Sequence, residues 1–232
     1  MDKLFQNNSH IKVVSNFYDL VSEDFIGDNN AMCWRRELEG DFYEIISKFD
    51  LNEDLIEIQE DDLSSLQLSK AGNQAREILL NDFKLLRENG SLPSLNIIIQ
   101  YEHDDSLPFF STDVYSFHVD RSPIPTSTFL CTYYGDASEI IPNSLAVKKV
   151  LIPSIRSQLK ELYEGDEDGF GDFLTDNFYD LHYEALPEAS PIKLGLGNLW
   201  RLAIEHPESK VLPCIHRAPL EKSGKPRLLM IC

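Results

Sequence analysis

The stretch VYSFHVDRSPIPTSTFLCTYYG, residues 114–135, contains two runs rich in β-branched and aromatic residues, separated by a turn with two prolines. Strands favour these residues and turns favour Pro and Ser, so we predict strands near 114–120 and 128–134. Successive side chains alternate between the two faces of a strand, so His118 and Asp120 should point the same way. The stretch therefore predicts β structure that carries two polar side chains on one face.

The remainder of the chain after residue 91 has the same texture, with short β-type runs bounded by Pro, Gly, Asn and Asp. SIRSQLKELYEG, residues 154–165, instead has the spacing of a helix, and the region near 155–190 reads as a long acidic insertion. A calcium-binding EF-hand loop in this insertion is excluded, because its fifth position is Phe170 and its twelfth is Asn177. The further predicted strands lie near 95–101, 137–142, 193–204, 210–217 and 226–231.

The first 90 residues read as a mostly helical N-terminal segment. In LSKAGNQAREILLNDFKLLRENG, residues 68–90, apolar residues recur at helical spacing, with Ser69 as a plausible N-cap and Gly90 as a plausible stop. The earlier stretch CWRRELEGDFYEIISKF, residues 33–49, also shows helical periodicity. We therefore predict a second helix there, with its apolar stripe in the core.

The order of these elements predicts an α+β fold. At 232 residues the chain can bury a full core, and we predict one domain over residues 1–232. Its helical segment, 1–90, precedes a sandwich or barrel over 91–232 that carries the acidic insertion near 155–190. The sequence has no phosphate-binding Walker loop, no GxGxxG turn and no GxSxG elbow, so nucleotide binding and serine hydrolysis lack their usual motifs.

Composition excludes several classes of partner. A formal net charge of −18 would repel a nucleic-acid backbone or an anionic membrane surface, so we predict neither as a partner.

The four cysteines are far apart and form no CxxC pair. The polar start MDKLFQNNSHIKVV does not resemble a signal peptide, and no apolar run approaches the roughly 18 residues of a membrane span. We expect a reduced, cytoplasmic protein.

Spacing alone does not identify a metal site in so acidic a chain. With 39 acidic residues and 6 histidines, a carboxylate two positions after a histidine should occur about once by chance, and it occurs four times. Three of these histidines follow turn or loop signals or lie in the acidic insertion, and we predict that they are surface residues. They are His103, His182 and His206.

His118 differs because it lies in a strand-like run and has Asp120 on the same face. A metal needs a third ligand, and the best candidate is His216 in KVLPCIHRAPL, the other histidine within a strand-like apolar run. Two histidines and one carboxylate on one face of an octahedral ion are typical of non-haem Fe(II) oxygenases. The alternative is that both histidines are buried core residues whose hydrogen bonds are satisfied within the protein.

The chain resembles the 2-oxoglutarate- and Fe(II)-dependent oxygenases in the order HVD, IHR and KPR, which ends at Arg227. It also resembles a bacterial family known only as domain of unknown function 1826, in the landmarks CWRREL, FHVDR, LCTYYG, IHRAPL and RLLMIC. The resemblance implies a double-stranded β-helix core of the jelly-roll or cupin type. It further implies that His118, Asp120 and His216 bind Fe(II), and that Arg227 pairs with the distal carboxylate of 2-oxoglutarate.

The function that the resemblance implies is oxidation of an unactivated C–H bond, with 2-oxoglutarate and O2 converted into succinate and CO2. Lys225 is a nearby alternative to Arg227 as the cosubstrate-binding cation, and Tyr133 or Tyr134 could line the pocket. Two other functions remain open: a non-catalytic β-helix interaction protein, and a metal-dependent cupin enzyme that does not use 2-oxoglutarate. The sequence does not identify the substrate, which could be a small molecule or a protein.

Overall fold

Two β-sheets pack face to face in the computed structural model, which describes residues 8–220 and 225–232. Numbered in chain order, the seven-stranded sheet consists, from one edge to the other, of β1 (Ile11–Val14), β2 (Ala31–Trp34), β11 (Leu199–Ala203), β6 (Ser127–Tyr134), β13 (Arg227–Ile231), β4 (Ser94–Ile98) and β3 (Leu55–Ile58). The six-stranded sheet consists of β10 (Ile192–Lys193), β7 (Glu139–Ile141), β12 (Ile215–Arg217), β5 (Phe117–His118), β9 (His182–Ala185) and β8 (Ala146–Lys148).

All strand pairs are antiparallel except β1 with β2. A buried cluster fills the space between the sheets, with Leu130 and Trp200 from the seven-stranded sheet against Ile140 and Ile192 from the six-stranded sheet. The alternation of side chains along each strand sets which residues enter this space. The predicted α+β class, with a β sandwich as its second part, is confirmed at this level of description.

The first four α-helices in chain order pack on the outer face of the seven-stranded sheet, and the last two pack in a separate cluster with Phe110 and Val150. The helices are α1 (Phe17–Ser22), α2 (Phe42–Ile46), α3 (Glu60–Ser65), α4 (Lys70–Glu88), α5 (Pro153–Leu162) and α6 (Phe170–Asp176). The predicted helix over 68–90 is confirmed as α4: the Ser69 side chain caps its first turn, and Gly90 follows its end with a φ of +86°. Leu79 and Phe83 of α4 are buried against the sheet. None of the helices in the described part of the chain combines the length and apolar character needed to cross a membrane.

The prediction of a mostly helical segment over 1–90 is wrong in part, because this region also contributes β1, β2 and β3. The stretch 33–49 begins as the strand β2, and only Phe42–Ile46 is helical, capped by Asp41. Met32 and Cys33 are buried between β1 and β11. The backbone hydrogen bonds and burial that these two neighbouring strands provide outweigh the local helical periodicity.

The acidic region near 155–190 is not an insertion outside the core. It contains α5, which confirms the helix predicted over 154–165, and α6, but it ends in β9, which lies between β5 and β8 in the six-stranded sheet. The strand predicted over 193–204 is also divided. Gly195 and Gly197, with φ values of +76° and +75°, form a turn between β10 and β11. The hairpin-like EKSGKP segment lies largely in residues 221–224, outside the described residues.

Candidate metal centre

His118 and His216 meet because their strands are neighbours. In the antiparallel pairing of β5 with β12, His216 lies directly opposite His118, and the two ring centroids are 4.5 Å apart. Directly opposed side chains share one face of a sheet. Two neighbours of His216 belong to the cluster between the sheets: Cys214, which is on the same face, and Ile140, which pairs with His216. Both histidines therefore point into the space between the two sheets.

Asp120 completes the group from two residues beyond His118. Its Oδ2 lies 3.6 Å from Nε2 of His216, and one ligand atom from each of the three residues lies within 4.8 Å of the others. The predicted strand over 114–120 is shorter than expected, but the Asp120 carbonyl accepts a hydrogen bond from the Glu205 N–H, which holds the backbone in place. We call His118, Asp120 and His216 the triad. Within the described residues, they are the group that can bind a metal ion.

The hydrogen bonds around the triad leave its ligand atoms available. His118 Nδ1 lies 2.8 Å from the Ser116 carbonyl oxygen, and His216 Nδ1 lies 3.1 Å from the Cys214 carbonyl oxygen. A carbonyl can only accept, so each Nδ1 carries a proton, and in the neutral imidazole Nε2 is then the nitrogen with the free lone pair. The Thr128 hydroxyl, on the facing sheet, donates to Asp120 Oδ2. Metal-binding histidines and carboxylates are commonly oriented by such outer contacts.

The charges of the triad also suit a cation. Burial lowers the pKa of His118 to about 4, and the neighbouring His216 adds to the shift. Burial opposes ionisation of Asp120, but His216 and the hydrogen bond from Thr128 outweigh it and leave the pKa of Asp120 below its ordinary value. At neutral pH His118 is therefore a neutral imidazole and Asp120 a carboxylate. These are the protonation states that a metal ligand requires.

His182 is the residue that sequence reasoning placed wrongly. It was predicted at the surface, but it is buried in β9, where it pairs with His118 on the side away from His216. The ring centroids of His118 and His182 are 5.8 Å apart, and burial lowers the pKa of His182 to about 3. Its acidic surroundings in the sequence hid the short strand, so no local signal identified it. His103 is exposed and His206 is partly exposed, as predicted.

A small pocket opens beside the triad. It has a volume of about 210 Å³ and is lined in part by His118, Asp120 and His182; we call it the triad pocket. A larger groove of about 1130 Å³ contains His206 and Arg201 but no member of the triad. The triad pocket is therefore a cavity from which a molecule could approach the candidate metal position.

Arg227 lies at the start of β13, is buried, and donates from Nη2 to the Ser138 hydroxyl at 3.2 Å. Because Ser138 precedes β7 of the six-stranded sheet, the guanidinium spans the space between the sheets. Ser138 comes two residues before Ile140, the direct partner of His216. Two strand residues span about 7 Å, so the Arg227 guanidinium lies on the order of that distance along the sheet from His216.

Neither of the other two residues predicted to bind a cosubstrate is buried between the sheets. Lys225 is exposed, whereas Arg227 is buried. Tyr133 does not line the triad pocket: it packs against Phe42 on the helical side, and its hydroxyl donates to Asp82 at 2.6 Å. Tyr134 also packs toward the helices. The pairing with β13 shifts at this point, so strict alternation fails and the expectation that one of the two tyrosines points inward is wrong.

The early CWRREL landmark does not contribute to the triad; its Arg36 makes structural hydrogen bonds. Arg36 makes two parallel hydrogen bonds to the buried carboxylate of Asp82, at 2.7 and 2.8 Å, and a third to the Gly197 carbonyl. This network connects the chain after β2 with α4 and with the turn before β11.

No protein-family model, curated protein or solved structure matches the chain.

Proposed function

We propose that the protein is an Fe(II)-dependent oxygenase that uses 2-oxoglutarate as cosubstrate. The observation that carries the proposal is the triad, in which two histidine nitrogens and one carboxylate oxygen lie within 4.8 Å of one another. Two-histidine, one-carboxylate sites with open positions are typical of non-haem Fe(II) oxygenases. The outer hydrogen bonds to Ser116, Cys214 and Thr128 support metal binding over a satisfied core role, because they occupy Nδ1 of each histidine, leave Nε2 as the ligand atom and orient the Asp120 carboxylate.

The strand order supports a double-stranded β-helix core. Without β8 and β9, the strands from β4 onward have the orders β11-β6-β13-β4 and β10-β7-β12-β5. Successive strands then alternate between the sheets, except for β7 and β10, which are neighbours in one sheet. Jelly rolls are eight-stranded double sheets, and this strand order supports such a core. We propose this core as the basis of the resemblance to the oxygenases and to domain of unknown function 1826.

In the proposed reaction, the C–H bond of the substrate becomes C–OH. One atom of O2 enters the substrate, and the other enters succinate when 2-oxoglutarate loses CO2. A bound Fe(II) supplies the redox chemistry that activates O2. The residues of the chain would hold and orient the ion: His118, Asp120 and His216 would bind it, and the Thr128 hydroxyl, which donates to Asp120, orients the carboxylate.

Arg227 supports the choice of cosubstrate. Its guanidinium lies between the sheets, on the order of 7 Å along the strand direction from His216, so a five-carbon dicarboxylate could reach both the metal position and Arg227. A planar guanidinium can hold a carboxylate through two parallel charge-assisted hydrogen bonds. The chain would therefore bind the two ends of 2-oxoglutarate with different groups.

The test is 2-oxoglutarate turnover by protein loaded with Fe(II) under anaerobic conditions and then exposed to O2. We expect equal amounts of succinate and CO2, together with the visible absorbance band of a 2-oxo acid chelated to Fe(II). The Asp120→Ala and His216→Ala variants should show neither. Metal binding without 2-oxoglutarate binding would favour the cupin enzyme, and the absence of metal binding would favour a non-catalytic interaction protein.

A further inference from the structure

His182 has no part in the proposed metal centre, yet it lines the triad pocket. His182 is only 5 % exposed, and its Nδ1 has no hydrogen-bond partner within residues 8–220 and 225–232. A buried polar atom without a partner is costly, on the order of 1–3 kcal/mol, unless a ligand or water satisfies it. The His182 ring therefore borders the pocket with hydrogen-bonding capacity that the described residues do not fill.

The size and walls of the triad pocket indicate what it can admit. Ligand pockets for drug-sized molecules commonly measure about 300–1,000 Å³, whereas this pocket measures about 210 Å³. It is suited to a group about as large as one amino-acid side chain. Phe178, which is 60 % exposed, provides apolar wall surface, which favours an aliphatic stem.

The charge of the triad pocket favours a cation. Arg121 lines it, but its guanidinium pairs with both Asp180 and Glu205, which offset its charge. Asp113 also lines the pocket, and although burial opposes ionisation, hydrogen bonds from Ser111 and from backbone N–H groups leave its pKa below the ordinary value.

The segment that supplies Phe178, Leu181 and His182 to the pocket extends this negative charge. Residues 161–192 contain ten acidic residues and no lysine or arginine. Lys149 is a cation in the region, and its Nζ donates to Ser116 and Ser111. A pocket bordered by a net negative charge attracts cationic ligands.

We propose that the triad pocket receives a cationic group of side-chain size, an ammonium or guanidinium on an aliphatic stem. Asp113 and the acidic segment 161–192 attract the charge, Phe178 contacts the stem, and the His182 ring accepts a hydrogen bond from the charged nitrogen. The proposal rests on the proposed function only in treating this pocket as the route of the substrate to the triad. It identifies the substrate class as an alkylamine, an alkylguanidine or a basic side chain of a polypeptide.

The test compares Nα-acetyl-lysine amide and Nα-acetyl-arginine amide with the neutral Nα-acetyl-norleucine amide, by NMR titration of the metal-free protein. We expect the two cationic probes to bind at least about tenfold more tightly than norleucine, with a difference that decreases as salt is added. Equal binding of norleucine and the cationic probes would overturn the proposal.

Two variants locate the effect. Asp113→Asn and His182→Phe should each weaken binding of the lysine probe about tenfold while leaving norleucine binding unchanged, because each removes a polar contact and keeps the shape of the side chain. The control is His206→Phe, in the larger groove, which should change neither affinity. Unchanged lysine binding in both Asp113→Asn and His182→Phe would contradict the assignment.

A metal experiment separates this proposal from the proposed function. Mn(II) bound at the triad should broaden the ε-CH2 signal of the lysine probe, and electron paramagnetic resonance of free Mn(II) measures metal binding independently. Charge-selective probe binding without Mn(II) binding would support the cation pocket and contradict the metal centre. Mn(II) binding without charge selectivity would contradict the cation pocket alone.

Discussion

At the scale of single residues, the two triad histidines share one local geometry. Each Nδ1 faces the carbonyl oxygen two residues earlier, at Ser116 and Cys214. In a strand, residues i and i+2 lie on the same face, so this contact is built into the short segments SFH and CIH. The protonated nitrogen is therefore fixed before any metal binds, and the other nitrogen is presented as a ligand.

The first prediction tests which histidine–carboxylate pair binds metal. Asp120→Ala should weaken Fe(II) binding by at least about a hundredfold, because loss of even an outer-shell partner costs about 10- to 100-fold. Asp105→Ala and Glu208→Ala, which alter pairs with the same spacing near exposed or partly exposed histidines, should leave the affinity unchanged. Anaerobic Fe(II) titrations measure all three, and equal affinities would show that another pair binds the ion.

The second prediction concerns Arg227 and applies to metal-loaded protein. Arg227→Ala should weaken 2-oxoglutarate binding by about thirty- to a hundredfold, the equivalent of about 2–3 kcal/mol for a charge-assisted pair, while the metal stays bound. Calorimetric titration of 2-oxoglutarate measures the loss. The matched control is Lys225→Ala, which removes an exposed cation two residues earlier and should bind normally. Unchanged affinity in the Arg227 variant would contradict its role.

At the scale of secondary-structure elements, the buried pair Arg36–Asp82 joins α4 to the chain that follows β2. The side chains are 9 % and 0 % exposed, and Tyr133 donates a further hydrogen bond to the same carboxylate from β6. The CWRREL landmark is therefore explained by packing. The Arg36–Asp82 pair positions α4 on the seven-stranded sheet, which also carries Thr128 and Arg227.

The third prediction follows from this pair. Asp82→Ala should lower the free energy of unfolding by about 3–5 kcal/mol, because it leaves a buried guanidinium without its counter-charge. Glu88→Ala on the same helix is the control: it breaks the exposed pair with Lys84 and should cost about 0.5 kcal/mol or less. Urea unfolding of the two variants measures both values. Similar losses would mean that the buried pair contributes no more than the exposed one.

At the scale of the whole molecule, the triad joins β5 to β12 and, through Thr128, contacts the facing sheet. A bound ion would therefore stabilise the packing of the two sheets, since a ligand that binds only the folded state adds RT ln(1 + [L]/Kd) to stability. The stability of the folded protein should therefore report metal binding at the triad, and this measurement requires no knowledge of the substrate.

The fourth prediction is that a divalent ion at about 1,000 times its Kd adds about 4 kcal/mol and raises the melting temperature by on the order of 8–16 °C. His216→Ala should abolish the increase, whereas His103→Ala, at an exposed histidine, should retain it. Thermal unfolding with and without the ion, followed by circular dichroism, measures the shift. An increase of the same size in both variants would place the ion elsewhere.

The sequence by itself determined the features that depend on neighbours along the chain. Helical spacing with a capping Ser69 and a closing Gly90 identified α4, and the alternation within residues 114–120 put His118 and Asp120 on one face. His216 was chosen as their partner because it lay in a strand-like run. These signals are local: they come from backbone geometry that repeats every two or every 3.6 residues.

Only the tertiary structure decided which strands lie beside one another. Pairing with β1 and β11 made β2 a strand despite its helical periodicity, and pairing with β5 and β8 made an acidic segment part of the core. It brought His182 beside His118 and turned Tyr133 toward Asp82. The physical reason is that hydrogen bonds and burial between segments distant in sequence are worth more than local propensity, and no local pattern records the partner.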